Sequence, residues 1–369
     1  MEVLIFLVVI VVLIVVHEFG HFLVAKWSGM EVEEFGFGFP PRAALLGRAG
    51  ETEITLNWLP FGGFVKIYGE EQVSGGRDQV SGARAFTDKN RFLQALVLVA
   101  GIAMNLLLAY LLISLALALG TPRALSSDEL AQARDIELAV AQVVPGSPAA
   151  SAGLMAGDLI TSAQDAAGSW QGSQAADTGS FSDFVQASGG SAIMLEIERN
   201  DSPMRITATP AAGVAGASGP YALGVDIAPV GVLALSVPEA FAQGASLTWG
   251  ATRETAAGLW QFFAGVFTFH ADLSQVAGPV GIADALGGAA KQGFGDLLSL
   301  AAIISINLAL INLIPVPALD GGRLLFVAVE AVIRRPIKPS VANAINSFGF
   351  ALLILLMFAV TAHDLYKLA

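Results

Sequence analysis

Residues 17–21 read His17-Glu18-Phe19-Gly20-His21. On a helix, positions i and i+4 face the same way, so the two imidazoles can close on one Zn²⁺ ion. Glu18 sits beside them and can serve as general base toward a water that the metal activates. The chain has four histidines, and this motif takes two of them. Ile14, Val15, Val16, Phe22 and Leu23 flank it, all apolar. An ionisable group in a membrane helix is expensive and is functional by default. A helix end emerging into water would also tolerate polar residues, but it gives no reason for this spacing.

Zinc needs a third protein ligand and an open position. His270 and His363 are the other histidines, and either can ligate in principle. Zinc also takes carboxylates, and Asp320 is the better candidate. It closes the segment Asn312-Leu-Ile-Pro-Val-Pro-Ala-Leu-Asp320-Gly321-Gly322, directly after an apolar run. The prolines break a helix there, and the two glycines permit a tight turn. Broken helices at membrane depth mark sites. Taken alone, Asp320 reads as the N-cap of a helix from Arg323 to Ile333. With the His-Glu-x-x-His motif upstream, a ligand is the stronger reading.

These residues need elements to hold them, and the composition says which kind. The 369 residues are 54% hydrophobic and 14% charged, against about one-quarter charged in an average soluble protein. Mean hydropathy is +0.66. Such a chain is not disordered. With no cysteine it is not a disulfide scaffold. A net charge of −12 argues against a nucleic-acid binder.

The apolar residues are clumped. The blocks are Val3–Val16 (continuing to Ala25), Phe92–Leu119, Leu297–Pro315 and Phe348–Ala362. A crossing takes about 20 residues. The first block reaches that only with His17, Glu18 and His21 inside the bilayer, and the fourth only if Ile345–Ser347 join it. The first block is a poor secretory signal, because Glu2 stands where basic residues are expected and no small-x-small site follows. Residues 26–91 hold eight Lys and Arg, 316–347 hold four, and the long stretch 120–296 holds six against 17 acids. The positive-inside rule then puts 26–91 and 316–347 in the cytoplasm and 120–296 outside. Four crossings with both termini outside satisfy this.

Two regions show strand alternation. Within 31–68, Glu53–Trp58 and Gly63–Tyr68 alternate and predict a hairpin at the membrane surface. It either offers an edge to a substrate strand or covers the site. Residues 138–228 alternate short strands and turns, with strands at 139–144, 157–160, 193–199 and 205–209, helices at 149–154 and 181–187, and a Gly/Ser-rich loop at 168–179. The stretch 236–268 reads as an amphipathic helix at the outer surface, with Trp249 and Trp260 suited to a lipid boundary.

The pair of motifs, His-Glu-Phe-Gly-His and the Asn312–Gly322 segment, resembles the site-2 protease family of intramembrane zinc metalloproteases, most of all its bacterial RseP-like branch. The match covers most of the chain. Glu34–Pro41 and Leu59–Ile67 resemble the family's loop after the first helix. Gly101-Ile-Ala-Met-Asn105 resembles its Gly-Pro-x-x-Asn, with Ile102 in place of Pro. Gly278–Ile282 resembles a segment before the third helix. Pro145-Gly-Ser-Pro-Ala-Ala-Ser-Ala-Gly-Leu-Met-Ala-Gly-Asp-Leu-Ile160 resembles a PDZ core, present in one copy.

The resemblance implies a polytopic α-helical membrane protein of four transmembrane helices. A membrane-associated β hairpin or loop lies on its cytoplasmic side, and one extracytoplasmic PDZ domain of α+β type lies outside. The segments are 1–26, 27–91, 92–119, 138–228 (PDZ), 236–296, 297–322, 323–342 and 343–364. It further implies one Zn²⁺ per chain on His17, His21 and Asp320, with Glu18 as the base and Asn105 and Asn312 as near-site residues. On residue chemistry alone the two asparagines serve equally well as helix–helix glue, and Asn307 reads as glue. The implied setting is the bacterial inner membrane, with the site toward the cytoplasm. The implied partners are the lipid bilayer and single-pass membrane substrates, of anti-sigma-factor or remnant-signal-peptide type. A PDZ domain binds extended chain ends by strand addition, so it serves substrate sensing or size exclusion, or else is a rigid plug. A zinc transporter or sensor, and a non-proteolytic PDZ scaffold, are the other classes. Neither needs the intact glutamate.

Overall fold

The computed structural model describes residues 2–70, 84–172, 177–199, 202–214, 219–268, 277–335 and 337–368. In chain order the elements begin with α1 (Glu2–Trp27), β1 (Val32–Ala49), β2 (Thr52–Ile67), α2 (Arg91–Leu119), β3 (Pro122–Ala124), β4 (Arg134–Val143), α3 (Pro148–Ala152), β5 (Leu159–Gln164) and β6 (Ser169–Gln171). They continue with α4 (Thr178–Ala187), β7 (Ile193–Arg199), β8 (Ser202–Ala208), β9 (Val225–Val232), α5 (Val237–Phe267), α6 (Pro279–Gln292), α7 (Phe294–Leu313), α8 (Asp320–Ile333) and α9 (Pro339–Leu368). The chain divides into two compact units, Leu117–Ser236 and the remainder.

Among the described residues, four helices are long and apolar enough to cross a membrane: α1, α2, α7 and α9. Their polarity is inverted relative to a water-soluble helix. In α1 the buried residues are Leu13, His17, Gly20, His21 and Ala25, whereas Val3, Leu4, Val8 and Leu23 are exposed. A continuous apolar surface of this kind suits a lipid environment. The expected third span of 297–322 is shorter. The helix stops at Leu313, and Ile314 is extended (φ −64°, ψ 136°) because Pro315 follows it. A break of six residues leads into α8, a separate helix that starts at Asp320.

The hairpin expected within 31–68 is formed by β1 and β2 as an antiparallel pair, although the stretches 53–58 and 63–68 are not its two arms. Both stretches belong to β2, which pairs with β1. Residues 32–37 have partners in 63–67 (Phe35 with Val65) and again in 53–56 (Phe35 with Ile54), and 42–49 pair with 52–57. The ribbon is thus folded so that 32–37 lies between 53–56 and 63–67. Pro60 and Gly62 lie within β2 rather than ending it, since register shifts run throughout the pairing.

The unit Leu117–Ser236 is an antiparallel sheet of order β3-β9-β4-β5-β7-β8, with β6 added on β5. Alternate residues Leu138 and Val140, and Ile193, Leu195 and Ile197, enter one core with Trp170, Phe181 and Val185. The Gly/Ser-rich stretch 168–179 is not simply a loop. It contains β6, whose Trp170 is fully buried, stacks edge-on against Phe181 and donates from Nε1 to Ser180 Oγ at 2.9 Å. The sheet also extends past 228 to Val232, and β3 closes its edge.

Candidate metal centre

α1 carries His17 and His21 one turn apart with Glu18 next to His17, and α8 carries Asp320 as its first residue. The imidazoles turn Nε2 toward one point. His17 Nε2 and Asp320 Oδ2 are 2.9 Å apart, His21 Nε2 and the same oxygen 3.3 Å, and the two Nε2 atoms 3.1 Å. Two ligands each about 2.0 Å from a tetrahedral zinc are about 3.3 Å apart, so three donors with these separations fit that ion. Among the described residues this is the one group of three His, Asp or Glu side chains able to hold a metal. Three protein ligands also leave one position open, the arrangement of catalytic zinc. The side chain of His363 and all of His270 lie outside the described residues.

Asp320 does not act as an N-cap. Leu319 occupies that position, and the carboxylate is directed at the imidazoles instead. Its placement comes from the break before it. Ala318 takes a left-handed conformation (φ +74°). The two glycines after Asp320 serve close approach rather than a turn. A Cβ on Gly321 would meet Ile314 O at 2.3 Å, and one on Gly322 would meet Val316 O at 2.3 Å. Gly349 of α9 fits the same way against Pro317, where a Cβ would be 2.4 Å from Pro317 Cβ.

α2 forms the wall behind the histidines. His21 Nδ1 is 2.8 Å from Val97 O, which can only accept, so Nδ1 carries the proton and Nε2 the lone pair. Such a second hydrogen bond orients most metal-ligating histidines. Asn105 Nδ2 is 3.3 Å from His17 Nδ1, and the residue is fully buried. On the opposite side the two histidines, Glu18 and Asp320 line a cavity of about 630 Å³, together with Asn312, Glu70 and residues 63–67 of β2. Glu18 faces β2 closely, since a Cβ on Gly63 would be 3.5 Å from Glu18 Cγ. Asn312 lines the cavity, whereas Asn105 does not. Asn307 turns back on its own helix, bonding Ile303 O at 3.1 Å.

The chain as a whole has counterparts among known proteins. The family model described as Peptidase family M50 matches residues 5–356. The chain belongs to peptidase family M50. This M50 member is a metallopeptidase. It is 36% identical over 355 residues to a Clostridium perfringens protein named as a zinc metalloprotease, covering 96% of this chain and 95% of the relative. A zinc-metalloprotease-named protein of a Nostoc species is 32% identical, with 96% and 93% covered. The zinc metalloprotease RasP of Geobacillus kaustophilus is 29% identical, with 98% and 97% covered.

Sequence reasoning missed several parts of this M50 site. Val97 contributes only a carbonyl and leaves no side-chain signal. Glu70 and Arg323 form an ion pair of 2.8 Å at the cavity, one helical turn past Asp320. Neither charge stood out, because each reads as an ordinary loop or helix-start residue.

Proposed function

We propose that this peptidase cuts peptide bonds of membrane-spanning substrates at a zinc site made by His17, His21 and Asp320. The observation that carries the reading is the convergence of those three donor atoms, 2.9–3.3 Å apart, at the edge of a cavity that Glu18 also lines. When bound, zinc polarises a peptide carbonyl and makes water acidic enough to lose a proton near neutral pH. Glu18 takes the proton from the attacking water and passes it to the departing amine. Asn312, exposed to the cavity, hydrogen-bonds the backbone of the extended substrate. Residues 63–67 of β2 line the same cavity, and their backbone offers an edge to which a substrate strand adds.

The substrate class follows from the setting. A site carried on an apolar 26-residue helix meets chains that are themselves in the bilayer, so single-pass proteins already shortened outside are the natural substrates. We read α1, α2, α7 and α9 as four crossings, with the zinc toward the cytoplasm, where Lys and Arg concentrate. The unit Leu117–Ser236 is then outside and is of PDZ type. Its cavity of about 580 Å³, between α4 and the start of β9 and lined by Phe181, Val185, Leu223 and Ile227, supports a peptide-binding role.

Cleavage of a single-pass model substrate, reconstituted with purified protein, tests this. Glu18→Gln is expected to lose at least ~100-fold in rate while keeping its zinc. Asp320→Asn is expected to lose zinc. Equal cutting by wild type and Glu18→Gln would remove Glu18 from the mechanism, and unchanged zinc in Asp320→Asn would remove Asp320 from the ligand set.

A further inference from the structure

We infer that Asn105 is a positioning residue for the metal: its side-chain oxygen accepts a hydrogen bond from His17 Nδ1–H and holds that imidazole with its Nε2 lone pair toward Asp320. The inference rests on the ligand set proposed above and gives Asn105 a role different from substrate handling.

The case begins on α2. Val97, Gly101 and Asn105 are spaced by four and share one helical face. That face meets the histidine pair of α1, which is also spaced by four. At one end Val97 O receives His21 Nδ1–H at 2.8 Å. In the middle Gly101 leaves room, since a Cβ there would be 2.4 Å from His21 Nε2 and 2.8 Å from His17 Cε1. At the other end Asn105 faces His17 Nδ1 at 3.3 Å. The stripe thus offers one partner to the outer nitrogen of each histidine. For His21 the partner is a carbonyl and the tautomer follows. For His17 it is an amide, which has two ends.

The orientation of the amide decides the chemistry. With Nδ2 toward His17, the amide donates, so His17 Nδ1 is bare and the proton sits on Nε2. Nε2 then has no lone pair for a metal. In that orientation Asn105 Oδ1 is also a buried oxygen with no hydrogen-bond partner, in a residue that is fully buried. Buried polar atoms are rarely left so. The two ends of an amide exchange by a 180° turn. That turn brings Oδ1 against Nδ1–H, satisfies the orphaned oxygen and frees the Nε2 lone pair. One rotation resolves both problems, and it makes the two histidines equivalent.

Two further observations exclude contact with substrate. Asn105 is absent from the lining of the cavity that holds Glu18 and Asn312. Its main-chain carbonyl also accepts from Ser305 Oγ of α7 at 2.8 Å, with Ser305 itself fully buried. α7 therefore packs over Asn105 and fixes its position on α2.

The test is metal affinity, measured on the purified full chain by competition of Zn²⁺ with a chromophoric chelator, and by the visible spectrum of bound Co²⁺. Asn105→Leu keeps the size and removes the acceptor, and zinc affinity is expected to fall 10- to 100-fold. Asn105→Asp keeps an acceptor and is expected to bind within a few-fold of wild type. Melting of each metal-stripped variant separates positioning from packing, and Asn105→Ala carries the same test if the leucine variant does not fold. Wild-type affinity in Asn105→Leu or Asn105→Ala would overturn the proposal, as would a raised KM with zinc affinity unchanged. Equal weakening in Asn105→Asp and Asn105→Leu, with both metal-stripped forms melting low, would show packing and overturn it too. His17→Ala is the control for the underlying reading: if it still binds zinc like wild type, the ligand set itself is wrong.

Discussion

Gly101 has no side chain, and the imidazoles of α1 occupy the space that a side chain would fill. A Cβ there would come within 2.4 Å of His21 Nε2, far inside contact distance, and the neighbour is the atom proposed to ligate zinc rather than a flexible tip. Gly101→Ala is therefore expected to displace both histidines and cost the protein its zinc. Metal analysis of the purified variant checks this. Gly258→Ala, where nothing lies within 4 Å of the new carbon, is the harmless comparison. Equal zinc in both variants would refute the steric account. The histidines and Glu18 were legible in the sequence because five consecutive residues and one helical turn suffice to specify their geometry. Asp320 lies 303 residues beyond His17, so no local rule links them, and it was readable only indirectly, from zinc's need of a third ligand and the proline-broken segment before it. The fit of Gly101 was legible even less, because a glycine announces a close approach without saying to what.

The elements decide whether Asp320 arrives. α8 is short, follows a proline-broken segment, and carries its carboxylate at its first residue, where a helix frays most readily. Two ion pairs steady it. Arg323 Nη1 bonds Glu70 Oε1 at 2.8 Å, with the Glu70 side chain only 9% exposed. Farther along, Glu330 Oε2 meets Arg91 Nη1 of α2 at 2.8 Å. The first pair ties α8 to the turn that follows β2, at the wall of the cavity. Arg323→Glu sets two like charges together there and is expected to weaken zinc binding about tenfold. Adding Glu70→Arg is expected to restore part of the loss, with a coupling of about 0.5–3 kcal/mol in a double-mutant cycle of metal affinity. A double variant no better than Arg323→Glu alone would mean that the pair does not position α8. The sequence marked this break through its prolines but assigned the wrong work to the glycines. They are needed because the backbone of 313–317 folds onto the start of α8, and such a return contact is invisible in a local pattern.

At the scale of the whole chain, hydropathy separated the long apolar helices from the strand-rich stretch, because lipid-facing helices and alternating strands differ in residue period. What it did not give was the pairing of β3 with β9, more than 100 residues apart, since a three-residue strand carries no period. That edge makes a prediction about acid. Arg123 of β3 holds Glu129 through bonds of 2.5 and 3.0 Å, and the backbone N–H and hydroxyl of Ser126 add two more. The hydrogen-bonded guanidinium, foremost, holds the Glu129 carboxyl down to about 2, against an ordinary 4.5. Asp158 moves in the same direction. Burial raises it, but Arg199 at 2.6 and 2.7 Å and the Met155 N–H outweigh that and leave it below its ordinary value. A carboxylate whose folded pKa is depressed stabilises the fold above its unfolded pKa and loses that contribution as pH falls toward the folded value. For Glu129 the window runs from about 4.5 down to about 2. Melting of the sheet unit should thus be flat with pH near neutrality and decline below about 4.5. Arg123→Gln removes the largest cause of the depression. It is expected to cost about 1 kcal/mol at pH 7 and to shrink the decline between pH 4.5 and 2, because the largest cause of the depression goes with the guanidinium and only the Ser126 hydrogen bonds remain to hold the carboxyl down. A scan of circular dichroism against temperature at successive pH values checks both parts. An undiminished acid slope in Arg123→Gln would move the acid sensitivity from this edge to the other carboxylates, with Asp158 the next to examine.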